Sequence, residues 1–182
     1  MTAPAEVVTY DERWPRWFDE LRAGLEPLLA GVPHVVEHVG STAVPGLAAK
    51  PIIDLDVVVP SADHVSAAVA ALGAGGYRHQ GNLGISGREA FELPAEVVRY
   101  HHLYVVVEGN QAHRDHVGLR DLLREDAVAR ARYAERKLEL APLLTTDRAA
   151  YGAGKTALIG ELLRARGSAG AGRSGRAGRG AS

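Results

Sequence analysis

The run Ile52-Ile53-Asp54-Leu55-Asp56-Val57-Val58-Val59 constrains this chain more than any other segment. It is almost wholly apolar and rich in β-branched residues, which reads as a central strand covered on both faces. Side chains alternate along a strand, so Asp54 and Asp56 share a face. Two neighbouring carboxylates on a covered strand are costly unless positive charge sits beside them. A divalent cation is the natural candidate.

With twelve residues between it and Asp54, Gly40-Ser41 turns the chain at the end of a short strand from Val35 to Val39. Glycine lets backbone come close to a phosphate, and the N–H groups of the following turn can cradle anionic oxygens. Ser41 adds a hydroxyl, and Thr42 follows it. The strand, turn and Asp-Leu-Asp strand together suit the binding of a nucleoside triphosphate with a metal ion that bridges its phosphates. Turn formation by Gly40, with the aspartates paired to Arg88 or Arg99, is the bland alternative.

Around this centre the chain reads as helix Glu12 to Leu29, strand, strand, and a crossover helix from Ser61 to Leu72. Two short strands then flank a loop at Gly81 to Arg88, and a strand follows from Arg99 to Val107. The C-terminal third is helical, at His113 to Leu123, Ala127 to Leu144 and Thr146 to Leu163. Asp11, Asp126 and Thr146 are the expected helix caps. The fold class is α+β with an α/β-like core, in which helices flank a mixed sheet. We expect one domain over 1–164 and a disordered tail of Gly, Ala, Ser and Arg over 165–182.

The tail carries Arg166, Arg173, Arg176 and Arg179 and no acid, so the body is more acidic than the formal net charge of -1 indicates. That acidity argues against nucleic acid as the main ligand. The absence of cysteine excludes disulfides and thiolate metal sites. No apolar run approaches the roughly 20 residues of a membrane span, and no signal peptide is evident. The expected location is the cytoplasm.

Gly154-Lys155-Thr156 is not a phosphate-binding P-loop. Ala149 stands where the first glycine belongs, and no strand precedes it. Of the other cations, Lys50 at the mouth of the buried strand and Arg88 in the glycine-rich loop are the candidates for offsetting phosphate charge. Arg120 and Arg124 read as helix-surface ion-pair residues. His38, His101, His102 and His113 are the histidines placed to matter, His102 foremost.

The stretch from Glu37 to Asp54, EHVGSTAVPGLAAKPIID, closely resembles the GrpB family, and its Gly-Ser plus Asp-x-Asp arrangement resembles the polymerase-beta-like nucleotidyltransferase superfamily. The likeness continues through His101-His102-Leu103-Tyr104-Val105, Arg114-Asp115, Arg120 to Arg124, Tyr133 to Lys137 and Tyr151 to Leu163. It spans residues 7 to 164. It implies a nucleotidyltransferase-like sheet in which Asp54 and Asp56 hold Mg²⁺, with Mn²⁺ as an alternative. Gly40, Ser41, Thr42, Lys50, Arg88 and Lys155 would bind nucleotide phosphates. Superfamily members carry a third acid on a later strand, yet Arg99 to Val107 offers no carboxylate. His102 is therefore the candidate third catalytic residue, with His38 and His101 as additional candidates.

The reaction implied is transfer of a nucleoside monophosphate from a nucleoside triphosphate to an unidentified small-molecule or protein acceptor. GrpB-like domains also occur fused to dephospho-CoA kinase, which implies a link to coenzyme A biosynthesis. Two alternatives stand beside this reading. One is a non-catalytic nucleotide- or metal-binding module. The other is a small metal-dependent phosphohydrolase, which requires at least two histidines in the aspartate cluster.

Overall fold

The computed structural model describes residue 4 and residues 6–174. The chain divides into two compact units, residues 1–120 and 121–182, whereas the sequence reads as a single domain over 1–164. Each unit is described by itself.

In the first unit, helix α1 (Trp14–Leu25) precedes β1 (Val35–Val39), β2 (Ile53–Val59), α2 (Val65–Ala74), β3 (Arg78–His79), β4 (Arg88–Glu92) and β5 (His101–Val107). Among the described residues five strands form one mixed sheet in the order β1-β2-β5-β4-β3. The central pair, β2 and β5, is parallel, while β1 pairs antiparallel with β2 and β4 antiparallel with β5. The parallel pair requires a crossover, which the segment containing α2 provides. The α+β class with a mixed sheet and flanking helices is therefore observed.

The sheet's two faces differ sharply. Ile53, Leu55, Val57 and Val59 of β2 lie on one face with Leu103 and Val105 of β5. They form a buried core with Trp14, Leu25 and Leu29 and with Ala68 and Leu72 of α2. Full burial of a Leu, Val or Ile contributes about 1.5–3 kcal/mol each, so this face holds most of the unit's stabilising area. The other face carries the even-numbered residues. There, a small apolar cluster of Val58, Val106 and Ala112 sits beside polar side chains.

Several local expectations shift by a few residues for identifiable reasons. Helix α1 stops at Leu25 because Pro27 follows. Arg13, not Asp11, precedes the helix. Asp11 Oδ1 instead accepts the Arg13 N–H at 2.9 Å. The Arg13 guanidinium beside it holds the Asp11 carboxyl down to about 2. A 3₁₀ turn over Ser41–Ala43 replaces the longer helical turn expected after Gly40.

Helix α3 (Gln111–Glu125) spans the boundary between the units. In the second unit, α4 (Ala127–Leu140) is capped by Asp126, whose Oδ1 accepts the N–H groups of Val128 and Ala129. Pro142 breaks the expected longer helix, leaving a short α5 (Leu143–Thr146). The cap of α6 (Arg148–Ser174) is Asp147 rather than Thr146: Asp147 Oδ1 accepts the Ala150 N–H at 2.9 Å. Helix α6 also runs past Leu163 into the stretch expected to be disordered. Residues 175–182 of that expected tail lie outside the described residues. Gly154 sits inside α6, where an added Cβ would come within 2.9 Å of Leu140 Cδ2. It is a helix-packing glycine, in keeping with the exclusion of a P-loop. Among the described residues no helix is long and apolar enough to cross a membrane.

Candidate functional site

Strand register builds the site. Asp54 of β2 pairs with Val39 of β1 on one side and His102 of β5 on the other. Asp56 likewise lies between Glu37 and Tyr104. Residues directly opposite in a sheet share a face. Glu37, Asp54, Asp56, His102 and Tyr104 therefore all project from the polar face, and the first turns of α3 bring His113, His116 and Arg120 to the same acids.

Each carboxylate has its own cationic or hydrogen-bonding partner. His102 Nδ1 lies 2.7 Å from Asp54 Oδ1. Asp56 is wholly buried, and His116 Nδ1 lies 2.8 Å from its Oδ2 and 3.1 Å from its Oδ1. Arg120 Nη1 donates to Glu37 Oε2 at 2.8 Å and to the His38 carbonyl at 3.2 Å. His113 Nε2 stands 3.6 Å from Glu37 Oε1, and its Nδ1 accepts the Gly109 N–H. Burial pulls the His116 pKa down, but the hydrogen bond and charge of Asp56, with the charge of Asp54, outweigh it. The net shift is upward from the ordinary value.

Gly40 is tied to Asp54. Its φ is +73°, a region that favours glycine, and a Cβ built there would lie 2.1 Å from Asp54 Oδ2. The space opened by the missing side chain is filled by the aspartate, so the Gly40–Ser41 backbone and the Asp54 carboxylate are immediate neighbours. Ser41 begins the 3₁₀ turn beside them. Thr42 is buried, and its Oγ1 donates to the Ile52 carbonyl and meets His38 Nε2 at 3.0 Å. That hydroxyl locks the turn to the strands.

The remaining expected residues divide in space. Arg88 is on the polar face, its guanidinium 4.5 Å from the centre of the Tyr104 ring, and its Nε is buried without a hydrogen-bond partner. Lys50 lies in the half-buried segment leading to β2. Lys155 belongs to α6 of the second unit.

His38 and His101 are not brought to the aspartates. His38 pairs with Leu55 on the apolar face and stacks on Phe18 at 4.8 Å. His101 pairs with Ile53 on that same face and is 2 % exposed. Its Nδ1 meets the Arg99 carbonyl at 2.8 Å and its Nε2 meets the Tyr77 hydroxyl at 3.2 Å. Burial pushes its pKa down. Both side chains hold structure.

Sequence reasoning passed over Glu37 and His116 as site residues and read Arg120 as a helix-surface ion-pair residue. Arg120 pairs with Glu37 across the fold rather than lying on a helix surface, because α3 lays its polar stripe over the acids. The signal was present in the spacing His113-x-x-His116-x-x-x-Arg120, which places all three on one helical face.

A cavity of about 630 Å³ opens beside His102, lined by Leu83, Phe91, Leu93, Val97, Tyr100 and Tyr104 among others. Among the described residues no group of three His, Cys, Asp or Glu side chains is arranged around a common metal position.

Comparison with known proteins identifies the lineage. The family model described as GrpB protein matches residues 4–165. The glutamate-rich protein GrpB of Alkalihalophilus pseudofirmus is 30% identical over 161 residues, which is 86% of this chain and 92% of that protein. YqkA of Bacillus subtilis is 36% identical over 136 residues, 75% of this chain, and the match spans only 39% of YqkA. Among solved structures, the conserved protein GrpB from Enterococcus faecalis is similar with a TM-score of 0.72 and 30% identity, covering 88% of this chain and 99% of that one. With the family model spanning nearly the whole chain, the protein belongs to the GrpB family.

Proposed function

We propose that the polar face of the sheet is the active face of a nucleotidyltransferase-like enzyme. It would take a nucleoside triphosphate, transfer the nucleoside monophosphate to an acceptor hydroxyl or amine, and release pyrophosphate. The observation that carries this reading is the contact between the Gly40–Ser41 turn and Asp54, with Asp56 on the same face. A phosphate chain held by the turn's N–H groups would lie directly against the carboxylate pair.

Asp54 and Asp56 also suit Mg²⁺ by their donor chemistry. That cation is commonly bound by one or two carboxylates, with substrate phosphates and water completing its shell. When bound, the cation would neutralise charge on the phosphate oxygens.

The chain's own groups supply the rest. Asp54 fixes His102 through Nδ1, which leaves Nε2 to accept the acceptor's proton. Arg88, on the same face, would offset the phosphates' charge, and Lys50 is proposed to do so from the segment leading into β2. His116 and Arg120 hold Asp56 and Glu37 in position. Lys155 remains a proposed phosphate ligand only through the family resemblance.

One observation favours a second reading. His102 and His116 both reach the aspartate pair, as a metal-dependent phosphohydrolase would require. The products separate the two: pyrophosphate from transfer, inorganic phosphate from hydrolysis.

The test is calorimetric titration of the full chain with ATP, GTP, CTP and UTP in Mg²⁺ or Mn²⁺, repeated on Asp54→Asn. We expect metal-dependent nucleotide binding that the substitution weakens by about tenfold or more, equivalent to roughly 1.4 kcal/mol. Unchanged affinity in a folded variant would sink the assignment.

A further inference from the structure

We infer that Arg120 is the positioning residue of the Gly40–Ser41 turn. Its guanidinium holds the end of β1 so that the turn's N–H groups meet the β- and γ-phosphates of a bound nucleotide. The inference rests on the nucleotidyltransferase reading and adds the group that keeps its phosphate-binding backbone in place.

The need for such a group follows from the turn itself. Gly40 stands at φ +73° and ψ -168°, a region almost confined to glycine. The missing Cβ that admits this conformation also leaves the glycine free to adopt many others. Backbone N–H groups cradle an anion well only when they keep one direction before it arrives. The turn therefore has to be held from outside.

It is held on both sides. After Gly40, the Thr42 hydroxyl donates to the Ile52 carbonyl and ties the turn to the segment leading into β2. Before Gly40, Arg120 Nη1 donates to the His38 carbonyl at 3.2 Å and to Glu37 Oε2 at 2.8 Å. The Arg120 side chain is 15% exposed, so packing fixes the direction of its charged hydrogen bonds. Among the described residues β1 is an edge strand that pairs with β2. Helix α3 thus supplies, through Arg120, a restraint on the outer strand that a further strand would otherwise give.

Charge pairing with Glu37 does not by itself explain this geometry. A counter-charge for that acid needs no bond to a main-chain carbonyl two residues before the glycine. The same helix also brings His116 to Asp56. One element therefore sets the turn and a carboxylate of the pair relative to each other.

The test is calorimetric titration of the full chain with ATP, ADP and AMP in Mg²⁺. The paired substitution Glu37→Gln with Arg120→Gln removes one negative and one positive charge. It keeps the charge balance while releasing the His38 carbonyl. We expect ATP and ADP affinity to fall about tenfold, and AMP affinity, whose one phosphate stops at the aspartates, to hold within about twofold. Arg120→Lys keeps the charge on a shorter stem that loosens the grip. It should lower ATP affinity by about threefold with AMP again unchanged, and it decides the question if the paired variant does not fold.

Parallel losses for ATP and AMP would overturn the inference by making Arg120 a general support of the fold. Unchanged ATP affinity in the folded variants would overturn it by detaching Arg120 from the turn. A wild type that binds ATP no better than AMP would overturn it too, since the turn would then hold no phosphates. A wild type that binds none of the three would instead end the nucleotide reading, and this inference with it.

Discussion

The two faces of the sheet are built from the same strands and differ by a single residue step. On β5, His101 points into the core and is closed off by the Arg99 carbonyl and the Tyr77 hydroxyl. His102, next in the chain, points to the opposite face and meets Asp54. On β1, His38 stacks beneath Phe18 while Glu37 joins the carboxylates. One face is a close-packed apolar layer under α1 and α2. The other is a layer of three acids, each engaged by a histidine or an arginine. The apolar face stabilises the strands, and their register then fixes carboxylates that would otherwise repel one another.

The largest expected effect comes from the apolar face. Leu55 is fully buried between Asp54 and Asp56 in sequence, yet it faces the core. Leu55→Ala should cost about 2–5 kcal/mol of unfolding free energy, read from urea midpoints at constant slope. A loss below about 1 kcal/mol would show that this face is not the stabilising one.

Gly40→Ala crosses the comparison, since it strikes backbone and site together. At φ +73° and ψ -168°, a region almost confined to glycine, a side chain costs about 1–3 kcal/mol. The 2.1 Å approach to Asp54 Oδ2 also forces that carboxylate to move. Stability should fall by this smaller amount and metal-dependent nucleotide binding should disappear. Retained binding would separate the turn from the site.

Asp54→Asn should do the reverse of Leu55→Ala. Asparagine keeps an acceptor for His102 and nearly the same volume, so the urea midpoint should stay close to wild type. Nucleotide affinity should drop by about tenfold. A stability loss matching that of Leu55→Ala would mean that the polar face is structural as well.

Much of this organisation was legible in the sequence. The period of two in Ile53 to Val59 places both aspartates on one face, and short strands at Arg78–His79 and Arg88–Glu92 flank the glycine-rich loop as expected. The fold class follows from such local patterns, whereas the expectation that His102 stands by Asp54 rests on the family resemblance. What was not legible depends on long-range register. Whether Glu37 or His38 faces Asp56 is decided by how β1 docks on β2, and a slip of one residue would exchange them. His116 and Arg120 reach their acids only because α3 lies over the polar face, a contact some 60 and 83 residues apart in the chain. Thr42 carries the same lesson, since its hydroxyl is taken by a carbonyl ten residues away.

The smallest effect, and the finest test of the contrast, is its pH dependence. His101 and His116 are shifted in opposite directions from the ordinary histidine value of 6.5. Burial lowers His101, so the unfolded chain takes up the proton more readily than the folded one. The resulting destabilisation is absent at high pH and develops as pH falls below 6.5 through the folded value. For His116, burial opposes protonation but Asp56 and Asp54 more than offset it, so the folded state holds the proton longer. Its stabilisation is complete below 6.5 and is lost as pH rises through the folded value. Urea midpoints measured from about pH 5 to pH 9 should therefore show His101→Gln flattening the acid side and His116→Gln flattening the basic side. Each change should amount to about 1 kcal/mol or less. If both substitutions flattened the same side, the two histidines would share one environment and the division between the faces would fail at these positions.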